Sequence, residues 1–350
     1  MAKIISLLTC CVIFASAFSY AAPQEVFSFD DRGVVWGFDF LDDEKLLVSQ
    51  RSGKLHLVDL ASNTSRQLVA PQVTAKGQGG LLDVKIVEIE GQRYFYATYS
   101  KQLESKKITT ALARAVATVD KPLVWTDLFV AKAESTGGKH FGSRLLFVED
   151  IIYMTVGDRG ERKLAQDLTV HNGKVLRLTL NGDAAAENPF LDNPNALAEI
   201  WTLGHRNPQG IAFDQAAKQI YVAEFGPRGG DEINTIAAGK NYGWPLITHG
   251  KNYIGTTIGP GEQDGLEQPL VYWTPSVSPS GLAFVDDGEG QSLLLACLSD
   301  THLKKLTLRD GVVIDQKSLF EQPKMRVRHV AQSPDKRVYF STDDGKIYLL

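Results

Sequence analysis

Cysteine is almost missing from this chain. Three occur in 350 residues, and two of them, Cys10 and Cys11, lie inside an N-terminal apolar run, leaving Cys297 alone in the body of the sequence. One thiol closes no disulfide within a chain and builds no cysteine zinc site. Set in Leu293-Leu294-Leu295-Ala296-Cys297-Leu298, it reads as a small buried apolar residue. Clusters of one charge sign are missing too. Lys and Arg number 37 against 41 Asp and Glu, a formal net charge of -4 without a basic run. That balance argues against nucleic acid and anionic membrane surfaces as partners. No apolar stretch reaches the ~20 residues that span a bilayer, so membrane insertion is not expected. Nor does an amphipathic helical period separate the apolar segments.

The N-terminus has a composition of its own. Lys3 is followed by an apolar run from Ile4 to Phe18, then by Ser19-Tyr20-Ala21-Ala22-Pro23. A positive charge, a short apolar core and small residues before a cut after Ala21 describe a secretory signal peptide over residues 1–21. The mature chain is then 22–350, a single domain. A membrane anchor would need a longer run. A lipoprotein cut before Cys10 or Cys11 would follow Thr9 or Cys10 and leave a stunted apolar core.

One pattern recurs along the rest. A glycine opens a short apolar strand, a polar turn follows, and a second strand rich in Val, Ile, Tyr and Leu comes next. It occurs at Gly37 and Leu46, Gly80 and Tyr94, Gly142 and Ile152, Gly210 and Ile220, Gly281 and Leu293, and finally at His329 and Val338. Third strands follow several of these. Two strong strands plus weaker outer ones, repeated without helices, are the signature of propeller blades. The fold expected is therefore all-β: a six-bladed β-propeller, with two packed β-sandwiches as the alternative. The last repeat runs out after its third strand. Gln24–Asp30 alternates like an edge strand and is expected to supply the missing one, closing the ring.

Several residues could carry chemistry. His140 stands in Gly137-Gly138-Lys139-His140-Phe141-Gly142, a loop entering the third repeat; a neutral imidazole there suits proton abstraction, though a lone histidine is just as well an ordinary loop residue. Arg206 and Asn207 precede Pro208, which biases Asn207 towards extended geometry. An arginine fork suits carboxylates and quinone oxygens. Arg326 and Arg328 alternate, so both side chains lie on one face of a strand. Gln78, in Gly77-Gln78-Gly79-Gly80, and the Gly226-Pro227 pair are turn residues by default. The acidic segment Gly229-Gly230-Asp231-Glu232 and the stretch Asn241-Tyr242-Gly243-Trp244-Pro245 are harder to explain as turns alone.

Taken together, these motifs and Trp201-Thr202-Leu203-Gly204-His205-Arg206-Asn207-Pro208-Gln209-Gly210 resemble the glucose/sorbosone dehydrogenase family. Its members are soluble quinoproteins that use pyrroloquinoline quinone (PQQ) and calcium, and the similarity is strongest to periplasmic aldose sugar dehydrogenases. The resemblance implies that His140 accepts the proton of the sugar C1 hydroxyl. It implies that Gln78, Arg206, Asn207 and Tyr253 contact the cofactor, and that Arg326 and Arg328 bind its carboxylates. Backbone carbonyls of Gly226 and Pro227 would hold a calcium ion against the quinone, with Arg206 sharing in polarising it. Glu232 and the carbonyl of Tyr242 would serve a second, structural calcium.

The activity so implied is oxidation of aldoses to lactones in the periplasm, with hydride passed to the quinone and electrons to an external acceptor; a monomer is expected because no long exposed apolar segment suggests a large interface. A calcium-dependent lactonase and a non-catalytic propeller that binds sugars or a protein remain as rival readings. One departure stands out. Distant glucose dehydrogenases of this family carry a lysine in the fifth-blade loop where this chain has Leu298-Ser299-Asp300-Thr301. That cationic contact is either absent or supplied by Lys304 or Lys305.

Overall fold

The computed structural model describes residues 22–118, 120–286, 290–320 and 322–350. The expected signal peptide lies outside them. The described chain forms six four-stranded antiparallel sheets. Their first strands are β2 (Val35–Phe40), β6 (Leu81–Ile89), β10 (Leu145–Val148), β14 (Pro208–Asp214), β18 (Pro279–Asp286) and β22 (Val327–Gln332). Each of these packs against its neighbours in sequence, and β22 packs back on β2, so the six make a closed ring. That is a six-bladed propeller; packed sandwiches would have no such ring.

The closure comes from the N-terminal strand. β1 (Gln24–Ser28) pairs antiparallel with β24 (Lys346–Leu349), completing the sheet that β22 and β23 (Val338–Thr342) begin. Phe27 and Phe29 then enter the apolar cluster between the last blade and the first, beside Val35, Phe38, Tyr339 and Ile347. An edge strand with unpaired N–H and C=O groups is thereby covered from within the chain.

Period-two alternation explains how the blades stack. In β19 (Gln291–Cys297), Leu293 and Leu295 join the cluster facing the fourth blade while Leu294 and Ala296 face the sixth. Phe95 and Tyr96 split in the same way between the two sides of the second blade. Both faces of such strands are buried, which is why they read as continuous apolar runs. Cys297 is fully buried in one of these clusters.

Polar rivets supplement the apolar contacts. Hydroxyls on second strands donate to a carbonyl in, or just ahead of, the first strand of the next blade: Ser49 to Leu82, Thr98 to Ser143, Thr155 to Pro208 and Ser341 to Val35. Around the axis sits Arg144, 2% exposed. It pairs with Asp83 at 3.2 Å, donates to the carbonyls of Gln209 at 2.7 Å and Arg328 at 3.1 Å, and lies 3.9 Å from the Trp36 ring centre. Five blades meet on one guanidinium. Burial lowers its pKa to about 10, so it stays charged at neutral pH.

Replacing Arg144 with Met strands Asp83 as a buried, uncompensated carboxylate. A loss of about 3–5 kcal/mol in urea unfolding is expected, partly recovered by adding Asp83→Asn. An unchanged midpoint in Arg144→Met would remove the axial ion pair from the account of stability.

Candidate active site

First strands of five blades carry a register shift near their start, for example between Pro208 and Gly210 and between Val327 and His329. Such bulges re-aim the residues that precede them. On the third blade, whose first strand is regular, and on the fourth, the loops leading into the first strands meet the turns between second and third strands. Between them opens a cleft of about 900 Å3. Seven of the residues singled out from the sequence line it: Gln78, His140, Arg206, Asn207, Gly226, Pro227 and Tyr253. They come from distant stretches of chain and converge only in the fold.

His140 is held from every side. Its backbone, at φ 53°, donates N–H to the Gln78 side-chain oxygen at 2.7 Å. A Cβ on Gly157 would lie 2.2 Å from the His140 carbonyl oxygen, so only glycine allows this crossing. Arg159 staples the loop from behind, stacking 3.4 Å from the Phe141 ring centre and donating to the carbonyls of Lys139 and Gly137. The imidazole Nδ1 lies 2.7 Å from Asp158 Oδ1. The other oxygen of Asp158 accepts from Trp244 Nε1 at 2.8 Å, and Oδ1 also accepts from the Gly160 N–H at 2.7 Å.

These bonds decide the chemistry of the ring. Burial works to raise the Asp158 carboxyl, but the bond and charge of His140 outweigh it, so Asp158 is held below its usual range and stays ionised. An ionised carboxylate only accepts, so Nδ1 must donate, which leaves Nε2 as the basic nitrogen. Burial, reinforced by the charge of Arg206 and opposed by Asp158, holds His140 below its ordinary pKa. The ring is therefore neutral at neutral pH.

Arg206 closes the floor. Its N–H donates to Glu224 Oε2 at 2.6 Å, and Nη1 donates to the carbonyls of Gly226 at 2.7 Å and Phe225 at 3.2 Å. Nη2 reaches Tyr253 Oη at 3.3 Å. Asn207 Oδ1 accepts from the Gly142 N–H at 3.2 Å, tying the two loops together. Carbonyls at the Gly226 turn thus already aim at a positive charge, the donor chemistry that a hard cation such as calcium takes. Among the described residues no group of three His, Cys, Asp or Glu could hold a metal, so backbone oxygens are the donors available at the cleft.

Glu232 and Tyr242 stand apart from the cleft, beside a small void that Glu224 also borders. Burial first, and then the neighbouring charge of Glu224, push the Glu232 carboxyl up to about 8. Asn234 donates to both acids, at 3.2 Å and 3.3 Å, while its own Oδ1 is buried without a hydrogen-bond partner. Two crowded carboxylates and an orphaned amide oxygen fit a divalent cation.

Arg326 and Arg328 lie outside the residues that line the cleft. Both reach Asp343, Arg326 Nε at 3.0 Å and Arg328 through Nε at 2.8 Å and Nη2 at 2.9 Å. Of the fifth-blade candidates, Lys304 is engaged by Asp300 at 2.7 Å and Lys305 is buried; neither lines the cleft. The sequence reading passed over Asp158, Trp244, Glu224 and Asp343. Only Trp244 sat in a quoted motif. Asp158 and Asp343 occupy acidic turns that look like any others.

Comparison with known proteins decides the family. The profile of the Glucose / Sorbosone dehydrogenase family matches residues 33–349. The chain belongs to that family. It is 35% identical over 328 residues to the aldose sugar dehydrogenase YliI of Escherichia coli, covering 90% of this chain and 88% of that protein. It is 30% identical over 258 residues to quinoprotein glucose dehydrogenase B of Acinetobacter calcoaceticus, covering 64% and 52%. Among solved structures, the apo-form of the E. coli soluble aldose sugar dehydrogenase superposes with a TM-score of 0.88 at 33% identity, covering 94% of this chain and 98% of that one. The PQQ-bound aldose sugar dehydrogenase of Streptomyces coelicolor gives 0.79 at 28% identity, covering 93% and 95%.

For this family member the acid pair generates a test. Calcium should raise the melting temperature of the purified protein, because a ligand held only by the folded form stabilises it, by about 2.7 kcal/mol at a hundredfold excess over Kd. Glu232→Gln should lose most of that increment. An equal calcium response in the variant would take Glu232 out of the ion's coordination.

Proposed function

We propose that the protein oxidises the C1 hydroxyl of aldose sugars to the lactone, using PQQ and calcium. The observation that carries the reading is the His140–Asp158 pair. It presents a neutral, oriented imidazole in the same cleft as Arg206 and the Gly226-Pro227 carbonyls. The similarity to sugar dehydrogenases, one of them solved with PQQ, supports it. Bound in the cleft, the quinone supplies the hydride acceptor and calcium a Lewis acid.

The chain's own residues do the rest. His140 Nε2 takes the proton from the sugar C1 hydroxyl, and Asp158 keeps the ring in the productive tautomer while stabilising its charge as the proton arrives. Arg206 and Asn207 hold the cofactor edge, and Arg206 offsets the negative charge that develops there. Gln78 fixes both the His140 backbone and one side of the cleft. Tyr253, 72% exposed, covers the outer rim. The carbonyls of the Gly226-Pro227 turn would hold one calcium ion at the cleft, and Glu232 with the Tyr242 carbonyl would hold a second, structural one. Export by the N-terminal leader to the periplasm and reoxidation by an external acceptor complete the reading. A lactonase would centre on an ion gripped by side-chain carboxylates, whereas this cleft is lined by arginine, amide and carbonyl groups.

His140→Gln should cut kcat at least a hundredfold, within the range general-base removal produces, while the variant still binds PQQ. Near wild-type turnover would remove His140 from the mechanism.

The pH profile tests its partner. His140 is held below its ordinary value, so kcat/KM should persist below pH 6.5 and fall only as pH drops through the lowered pKa. Asp158 pulls that pKa upward. Asp158→Asn should therefore move the acid limb to still lower pH while reducing kcat. A limb that stays put or moves up would mean Asp158 does not govern the base.

A further inference from the structure

Three arginines gather where the last blade meets the first. Arg326 and Arg328 share Asp343, and the third is Arg51. Arg51 follows β3 (Lys45–Gln50) in the turn to β4 (Lys54–Asp59). Asp158 and the Gly226-Pro227 turn hold the same station in the third and fourth blades, so Arg51 stands on the face of the ring that carries the cleft. The loop bearing Gln78 lies directly on it: a Cβ on Gly80 would come 1.7 Å from the Arg51 carbonyl oxygen and 3.0 Å from its Cγ. Arg51 thus backs a cleft-lining loop and lies within electrostatic range of Arg326, Arg328 and Asp343.

The charges do not balance. Three guanidiniums face one carboxylate, an excess of two positive charges. Asp343 has both oxygens occupied by Arg326 and Arg328. Among the described residues the Arg51 guanidinium has no hydrogen-bond or ion-pair partner. Burial and then the like charge of Arg328 hold Arg51 below the usual guanidinium range, against the opposing pull of Asp343. Cations gathered at a half-buried rim repel one another unless an anion joins them. The fifth blade offers no substitute, since Lys304 is tied to Asp300 and Lys305 is buried.

We propose that Arg51 is a cofactor-binding residue, forming with Arg326 and Arg328 a cradle for the carboxylates of PQQ. It rests on the proposed function. The cationic contact that distant relatives place on the fifth blade is here supplied from the first. Arginine's planar fork suits a carboxylate better than a lysine point charge.

The test reads binding without sugar or turnover. Apoprotein with calcium is titrated with PQQ and followed by quinone absorbance, for wild type, Arg51→Gln, Arg51→Lys and Lys54→Gln. Lys54 is an exposed neighbour paired with Asp31 and controls for the general field. Arg51→Gln should weaken binding about tenfold or more, Arg51→Lys should restore part of it, and Lys54→Gln should match wild type. Equal affinity in wild type and Arg51→Gln overturns the assignment of Arg51 and leaves the proposed function standing. Equal losses in Arg51→Gln and Lys54→Gln overturn it too, since the effect would be a diffuse field rather than a contact. A wild type that binds no PQQ overturns the proposed function itself.

Discussion

A propeller has no central core; its axis must be filled by whatever the first strands present there. In this chain that filling is the Arg144 guanidinium, ion-paired to Asp83, stacked on Trp36 and bonded to carbonyls of the fourth and sixth blades. A buried charge is tolerable only when its donors are satisfied, so the blades must stand in one arrangement for this one to exist. Hydrophobic alternation would let blades stack with some slack. The axial arginine and the hydroxyl rivets remove it. The rivets themselves are uneven: the equivalent positions on the fourth and fifth blades are Ala223 and Ala296, which carry no hydroxyl, and other polar contacts, such as Asp231 with Ser276 and Arg326 with the Leu298 carbonyl, cross there instead.

The fixed axis sets the site. His140, Arg206 and Asn207 lie just ahead of first strands that the axis anchors, and Asp158 and the Gly226 turn lie on the loops facing them. Distances of 2.6 to 2.7 Å among these groups and Glu224 need both sets of loops held in register. The same polar groups that line the cleft also hold its loops together. Arg206 holds the Gly226 turn through its fork, and Asn207 holds the His140 loop through its amide oxygen. A ligand that displaced one of these contacts would have to replace its hydrogen bonds, which favours an acceptor-rich, anionic partner.

Legibility differed by kind of feature. The six repeats and the closing N-terminal strand were readable because alternation and turn residues are local, and propeller blades bury both faces of their strands. Position in the cleft was readable for Gln78, His140, Arg206, Asn207, Gly226, Pro227 and Tyr253, since their motifs are dense in residues that plain turns do not need. What each side chain touches was not. Asp158 gave no sign that it would orient His140 from 18 residues away. Arg326 and Arg328 converge on one carboxylate although only Arg328 lies in the strand, and that carboxylate, Asp343, and their neighbour Arg51 belong to turns remote in sequence.

By itself, then, the sequence determined which segments become strands, how many blades they make, and which residue types are available for acid–base and anion-binding chemistry, because these follow from periodicity and functional groups along the chain. Only the tertiary structure decided which nitrogen of His140 is basic, which carbonyls face a cation and which arginine lacks a partner. Each of those depends on a second group brought within hydrogen-bonding range by the closure of the ring, and closure is a property of all six blades together.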